Sequence, residues 1–214
     1  VAVPPGQHVR MALADGTAVW LNAGTKLEYP ALFTGDTRRV RIEGEARFDV
    51  AHDASHPFVV ETFAADVKVL GTEFNVAADK ACGTFSAALF EGSVEVRDRT
   101  TDEAVVLHPD ETVRLVDGRL ATGRIEHPDD YIWTEGYINF KGHTVGEILD
   151  KYRHVYGVNI RLENVSLPDT KFQWGKIQVQ DGIDNAMKVL QNIYPITYEF
   201  DSETRAITIR EAER

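Results

Sequence analysis

The stretch Thr144–Leu162, TVGEILDKYRHVYGVNIRL, decides how the second half of the chain folds. Val145, Ile148, Leu149, Tyr152, Val155 and Tyr156 fall at i, i+3, i+4, i+7, i+10 and i+11, one face of an α-helix. Thr144 with Glu147 three residues on reads as a capping box, and Gly157 stands where the helix should stop. A shift of 38 residues maps this stretch onto Gly182–Phe200, GIDNAMKVLQNIYPITYEF. Ile183, Ala186, Met187, Leu190, Ile193 and Tyr194 take the same offsets, with Asp181 and Asp184 at the cap positions and Pro195 at the stop. The match continues past the helices, because Val158, Ile160 and Leu162 map onto Ile196, Tyr198 and Phe200, alternating residues of a following strand. A strand also precedes each helix, Tyr137 to Phe140 and Phe172 to Val179, and Arg205 to Arg210 adds a last one. The spacing therefore predicts a small α+β domain with duplicated β-α-β halves over residues 134–214.

Upstream the period changes. Between Gln7 and Arg124 the chain offers short apolar/polar alternations, such as Val9, Met11 and Leu13, or Val67 and Val69, or Phe74 and Val76. Turn signals at Asp15-Gly16, Gly24, Gly35-Asp36, Gly44, Gly71, Gly83, Gly92 and Asp117-Gly118 punctuate them. About a dozen strands are indicated, which favours a mainly β domain over residues 1–128, a sandwich or roll or a solenoid-like stack. Trp20, Leu21, Phe48, Val50, Phe58, Val60, Leu70, Phe74 and Val76 are its expected core, and Gly16, Gly44 and Gly71 are expected to be backbone-critical, through a positive φ or a lack of room for a side chain. The stretch Glu126 to Glu135, with Pro128, Asp129 and Asp130, reads as a linker with a solvated acidic face.

Composition narrows the function classes. The 214 residues carry 23 Lys and Arg against 34 Asp and Glu, a net charge of −11, which repels a phosphate backbone and argues against nucleic acid as a partner. Residues 1–130 hold 13 bases and 22 acids and residues 131–214 hold 10 and 12, consistent with two units of different surface. Cys82 is the single cysteine, so no disulfide, CxxC pair or thiolate cage can form, and it reads as a small buried or strand residue. Seven histidines never take HxH or HExxH spacing, and no GxSxG, Walker-type or GxGxxG motif occurs, so neither metal nor cofactor is implied. No apolar run reaches the ~18 residues that cross a bilayer. Tyr131, Trp133, Tyr137 and Phe140 gather at the entry to the second domain, where core packing is favoured over a sugar platform.

The blocks VPPGQHVRMALADGTAVWLNAGTKLEYP (Val3 to Pro30), RRVRIEGEARFDV (Arg38 to Val50), PFVVET (Pro57 to Thr62), VKVLGTEFNVAA (Val67 to Ala78) and LFEGSVEV (Leu89 to Val96) resemble, in consistent order, the FecR family of anti-sigma factors. The region Trp133 to Arg210 is similar to the STN-like C-terminal domain that follows the FecR domain in Bacteroidetes members. The resemblance implies the periplasmic region of an inner-membrane single-pass protein, with Val1 just past the membrane helix and a sigma-binding cytoplasmic segment before it. A TonB-dependent outer-membrane transporter would signal through its periplasmic STN domain, and an extracytoplasmic-function sigma factor would be released. Such a relay is not an enzyme and takes no cofactor. A periplasmic carbohydrate-binding module and a small β-rich carbohydrate-active enzyme are the alternatives.

Two sets of residues carry the functional expectations. Partner binding is expected at an exposed strand edge of the second domain, either Tyr137, Ile138, Asn139 and Phe140 or Arg205, Ile207 and Ile209, because strand addition tolerates varied side chains. Some FecR-like regulators split their own chain at a Gly-Thr bond, and Gly71-Thr72 in VLGTEFNV resembles that site most. A structural turn is the favoured reading there, since Gly16-Thr17, Gly24-Thr25 and Gly83-Thr84 carry the same dipeptide.

Overall fold

The computed structural model describes residues 1–212, so residues 213 and 214 of the expected second domain lie outside the described residues. The chain divides into two compact units: Val1–Val3 with His8–Glu126, and Pro4–Gln7 with the chain from His127 onward. The first unit is all β, and the second is a small α+β unit.

Twelve strands make the first unit: β1 (Val9–Ala12), β2 (Ala18–Leu21), β3 (Lys26–Glu28), β4 (Arg38–Asp49), β5 (Phe58–Glu61), β6 (Ala65–Val69), β7 (Glu73–Asp79), β8 (Thr84–Glu91), β9 (Val94–Asp98), β10 (Ala104–Leu107), β11 (Glu111–Val116) and β12 (Arg119–Arg124). They form one sheet in the order β10-β9-β6-β5-β4-β7-β8-β11-β12, with β2 and β3 also on β4, and β1 on β2. Of these pairings only β4 with β5 is parallel. The sheet is therefore folded over a single core rather than coiled as a solenoid. Val60 and Val96 from one half share that core with Phe74 and Leu89 from the other, and the Phe48 and Phe58 rings meet at 5.9 Å.

Strand β4 joins the halves. Its first residues pair with β5 from Arg38↔Phe58 to Arg41↔Glu61, and its later ones pair with β7 from Gly44↔Ala78 to Asp49↔Glu73. On the opposite edge β3 covers Arg41 to Glu43 and β2 covers Ala46 to Asp49. At the changeover Gly44 has φ +109°, and a Cβ there would lie 2.7 Å from Thr25 Cα and Oγ1. The Thr25 hydroxyl donates to the Glu45 carbonyl (2.9 Å) and accepts from the Glu45 amide (3.0 Å), filling the space a side chain would need. The head of β4 is held by Arg38, 3% exposed, which donates to Asp15 Oδ2 (2.7 Å) and to the carbonyls of Ala51 and His56 (each 2.8 Å).

The expected core residues Leu21, Phe48, Val50, Phe58, Val60, Phe74 and Val76 are buried, and two others are not. Val19 and Leu21 point inward on β2, so Trp20 faces outward beneath Arg10, 5.0 Å from its ring. Val67 and Val69 point inward on β6, which leaves Leu70 outside at 41% exposure. Cys82 is exposed in the turn after β7 rather than buried. There its thiol is pushed up by a hydrogen bond to, and the charge of, Asp79.

The second unit contains β13 (Tyr137–Asn139), α1 (Val145–Tyr156), β14 (Asn159–Glu163), β15 (Lys176–Gln178), α2 (Gly182–Ile193), β16 (Ile196–Asp201) and β17 (Ala206–Glu211). Each β-α-β half contributes one strand to each of two small sheets, β13-β15 and β14-β17-β16. The inward faces of α1 and α2 bury Ile148, Leu149, Tyr152, Ala186, Met187 and Leu190, whereas Ile193, expected on the same face of α2, is 50% exposed at the last residue of the helix. Helix α1 has the expected reciprocal capping box between Thr144 and Glu147, and Gly157 caps it at φ +60°. Helix α2 departs from its counterpart: Asp181 makes no side-chain cap, because a 3-10 turn, Val179–Asp181, feeds the chain into the helix through Gly182 at φ +81°. The preceding strand is also shorter than expected, Lys176–Gln178 instead of Phe172 to Val179.

The stretch Glu126 to Glu135 is folded rather than an open linker. Pro128–Glu135 is a 3-10 helix with Pro at its first turn and Gly136 as its left-handed cap, φ +82°.

Replacing Gly44 by alanine forces both an unfavourable φ and a clash with Thr25. The expected outcome is a loss of roughly 1 to 3 kcal/mol in urea unfolding. An unchanged midpoint would show that β4 changes partners without help from the glycine.

Candidate functional site

Gly71-Thr72 lies between β6 and β7, in the stretch that crosses the Ala51–Asp53 segment. The Val50 amide donates to the Thr72 carbonyl (3.1 Å) and the Asp53 amide to the Leu70 carbonyl (2.8 Å). Gly71 is not among the residues of positive φ, which removes the first of the two reasons expected for this glycine. Crowding demands it instead, since a Cβ would lie 2.6 to 2.7 Å from Nδ1, Cα and Cβ of His52. Thr72 is buried at 5% exposure, and its hydroxyl donates to the Ser93 carbonyl at 3.1 Å. Gly92 closes the other side, where a Cβ would come within 2.8 Å of Thr72 Oγ1 and 3.1 Å of the Gly71 oxygen. The other three Gly-Thr pairs differ in kind: Gly16, Gly24 and Gly83 have φ between +68° and +88°, the conformation of tight turns.

In the second unit the two expected edges behave differently from the expectation. Ile138, Asn139 and Phe140 are buried at 4%, 5% and 2%, and only Tyr137 is half-exposed. The Tyr137 ring lies 4.1 Å from Lys176 Nζ, and its hydroxyl accepts from Gln178 Nε2 at 2.9 Å. Phe140 packs against Tyr152 and Phe172, so it belongs to the core. Arg205 lies in the turn before β17, and the strand holding Ile207 and Ile209 is not an edge at all. Strand β17 is paired along both sides, parallel with β14 and antiparallel with β16, and Ile207 and Ile209 are fully buried. The Arg205 side chain donates to the carbonyls of Tyr156 and Gly157, closing the end of α1. The outer strands of that sheet are β14 and β16, and sequence periodicity cannot tell them from β17, because all three alternate. Leu162 on β14 is 44% exposed and Trp174, in the loop before β15, is 81% exposed.

The aromatic entry is mainly packing. Trp133 and Phe140 are buried at 6% and 2%, which fits the core reading of that cluster better than a sugar platform.

A polar node unforeseen in the sequence sits beside β13. Asp130 Oδ1 accepts from Lys151 Nζ (2.7 Å), Asn139 Nδ2 (3.1 Å) and His143 Nε2 (2.6 Å). Its side chain is 28% exposed, so the solvated acidic face expected at Asp129 and Asp130 applies to Asp129 alone, 52% exposed beside Lys141. Lys151 Nζ also reaches the Asn139 carbonyl (3.5 Å), engaging main chain that β15 does not use. Burial opposes the Asp130 charge, but the Lys151 charge and the three donors outweigh it and hold the carboxyl below its ordinary value.

The family model described as FecR protein matches residues 1–95, and the one described as FecR, C-terminal, matches residues 137–209. The chain belongs to the FecR family of anti-sigma factors. Two crystal structures of a proposed anti-sigma factor from Parabacteroides distasonis ATCC 8503, at 1.65 and 2.50 Å resolution, are similar to it at 29% identity. Their TM-scores are 0.80 and 0.79, over 100% of this chain and 99% and 98% of theirs. Among curated proteins nothing matches. Gly71-Thr72 falls within the FecR match, and Tyr137–Phe140 and β14 fall within the C-terminal match. Asp130 lies in the stretch between the two matches, so the node ties a segment outside both family models to His143 and Lys151 inside the second.

This node makes a pH prediction for the FecR C-terminal unit. A carboxyl whose folded pKa is depressed contributes stability that is present above its unfolded value, 3.8 here, and is lost as pH falls through that value and the lower folded one. Asp130→Asn is expected to lower stability by about 1 to 3 kcal/mol at neutral pH, with the gap from wild type closing below pH ~4. Thermal unfolding across pH checks this. A gap independent of pH would mean that packing, not the charge, fixes the segment.

Proposed function

We propose that this chain is the periplasmic relay region of a membrane-anchored FecR-type regulator. In this reading it receives a signal from the periplasmic domain of a TonB-dependent outer-membrane transporter and controls release of an extracytoplasmic-function sigma factor. Among the described residues no helix is long and apolar enough to cross a membrane. In this reading anchoring and sigma binding belong to other parts of the protein. The observation that carries the reading is the open edge of β14 in the unit matched by the FecR C-terminal model. An outer strand with unpaired main chain accepts a partner strand through backbone hydrogen bonds, and nearby exposed side chains add specificity. Leu162 on that strand and Trp174 in the same unit are exposed apolar anchors of the sort that dominate such contacts.

The test is pull-down with the transporter's signalling domain. Leu162→Lys and Trp174→Ala, both at exposed positions, are expected to weaken capture by about tenfold or more, equivalent to ~1.4 kcal/mol. Full retention with both variants would remove β14 and its surroundings from the interface.

In the same reading the chain acts as a relay and not as an enzyme, and Gly71-Thr72 is a packing junction. Support comes from the buried Thr72 hydroxyl, committed to the Ser93 carbonyl, and from His52 and Gly92 crowding the bond on both sides. Intact-mass spectrometry of purified protein is expected to give one full-length species, unchanged in Thr72→Ala. Two fragments dividing at Thr72 would show instead that this junction cleaves itself.

A further inference from the structure

Strand β12 closes one end of the large sheet and has no strand on its outer side. The hydrogen bond from the Ile125 amide to the Asp110 carbonyl (2.9 Å) fixes the phase of its ladder with β11. Antiparallel pairs alternate, so the main chain of Arg119, Ala121 and Gly123 faces β11, while that of Leu120, Thr122 and Arg124 faces outward. Among the described residues no other segment makes a backbone hydrogen bond to those three. The register runs without a bulge from Glu111↔Arg124 to Val116↔Arg119, and Ala121, Thr122, Gly123 and Arg124 are exposed. A regular, uncovered edge of this kind is either guarded or used.

The charge on this hairpin runs against that of the unit. Residues 1–126 hold ten arginines and 20 acids. Of the seven arginines outside the hairpin, six hold a carboxylate, and Arg10 lies over the Trp20 ring. Arg114, Arg119 and Arg124 are exposed and make no ion pair among the described residues, despite the surplus of acids. Val113, Leu115 and Leu120 turn to the core, which puts Arg114 and Arg119 on the opposite face with Ala121 and Gly123. Those two small residues leave the ground between Arg114 and the open edge free of bulky side chains.

We propose that β12 takes up an extended acidic segment of a partner protein as an added strand. Carboxylates on one face of that segment meet Arg114 and Arg119, and apolar residues on its other face continue the row of Leu115 and Leu120. The open main chain selects an extended peptide, because the outward amides and carbonyls of Leu120, Thr122 and Arg124 match those of another strand. The unpaired arginines select its charge. A second copy docking by the same edge would bring three arginines from each chain together, and like charge rejects it. The hairpin lies between the stretches matched by the two family models, and the site does not depend on the relay assigned to β14.

The test is titration of the isotopically labelled whole chain, followed by NMR, with a blocked pentapeptide Glu-Val-Glu-Val-Glu. A blocked Lys-Val-Lys-Val-Lys peptide is the charge control, and the acidic peptide N-methylated at every backbone amide, which keeps its charge and loses its donors, is the strand control. Saturable binding of the acidic peptide is expected, with amide shifts at Leu120, Thr122 and Arg124 and weakening as salt rises past ~0.1 M. Arg114→Glu combined with Arg119→Glu should weaken it by about tenfold or more and the two Gln replacements by less, all at exposed positions where the thermal midpoint is expected to hold. The proposal is overturned by no saturable binding up to ~5 mM, by equal binding of the basic or the N-methylated peptide, by shifts confined to other residues, by unchanged affinity in the double Glu variant, or by self-association of the chain through this hairpin.

Discussion

The first unit depends on keeping the backbone of one long strand satisfied while it passes between two halves of a folded sheet. Strand β4 changes partner on both edges, from β5 to β7 on one side and from β3 to β2 on the other. Such a strand must bend where its partners change, and the bend falls at Gly44, where the Thr25 hydroxyl serves both the amide and the carbonyl of Glu45. Arg38 fixes the start of the same strand. Its buried charge is matched by Asp15, and its remaining donors go to loop carbonyls, which ties the β1–β2 turn and the segment after β4 to one side chain. Removing one member of a buried pair costs far more than the pair itself contributes, so this contact is retained once formed.

Two consequences of that geometry bear on function. Where β5 stops short of β7, the sheet leaves a cleft with a basic rim. Where the chain returns from β6 to β7, it is pressed between His52 and Gly92, so Gly71 has no room for a side chain. The first feature is open to a ligand, and the second is closed by packing. Apart from Arg99 on the cleft rim, both sit in the region matched by the FecR model.

The second unit solves a different problem. Its duplicated halves each supply a strand to two short sheets, which leaves β14 and β16 as outer strands and places β17 between them. Outer strands of a small sheet present unpaired main chain that must be guarded or used. Beside β13 the chain guards it, through Lys151 and Asn139 gathered around Asp130. Strand β14 exposes Leu162 instead, and this difference between the two strands of the first half directs attention to that edge.

The sequence by itself determined the division into a β unit and an α+β unit, the buried face of α1, the middle of that of α2, the capping box of α1, and seven of nine expected core positions, because these follow from local periodicity and from side-chain chemistry within one turn. The family was legible too, through blocks in consistent order. Tertiary structure alone decided the rest. Alternation marks Arg205 to Arg210 as a strand but says nothing of its place in the sheet, so a central strand was taken for an edge. At Gly71 the turn pattern could not choose between a positive φ and a lack of room, since the crowding comes from His52, nineteen positions earlier in the chain. Asp130 looked like a solvated acid because its partners, Asn139, His143 and Lys151, lie 9 to 21 residues away and meet it only when the segment folds back. Periodicity reports which way a side chain faces, whereas only chain topology fixes what stands opposite it.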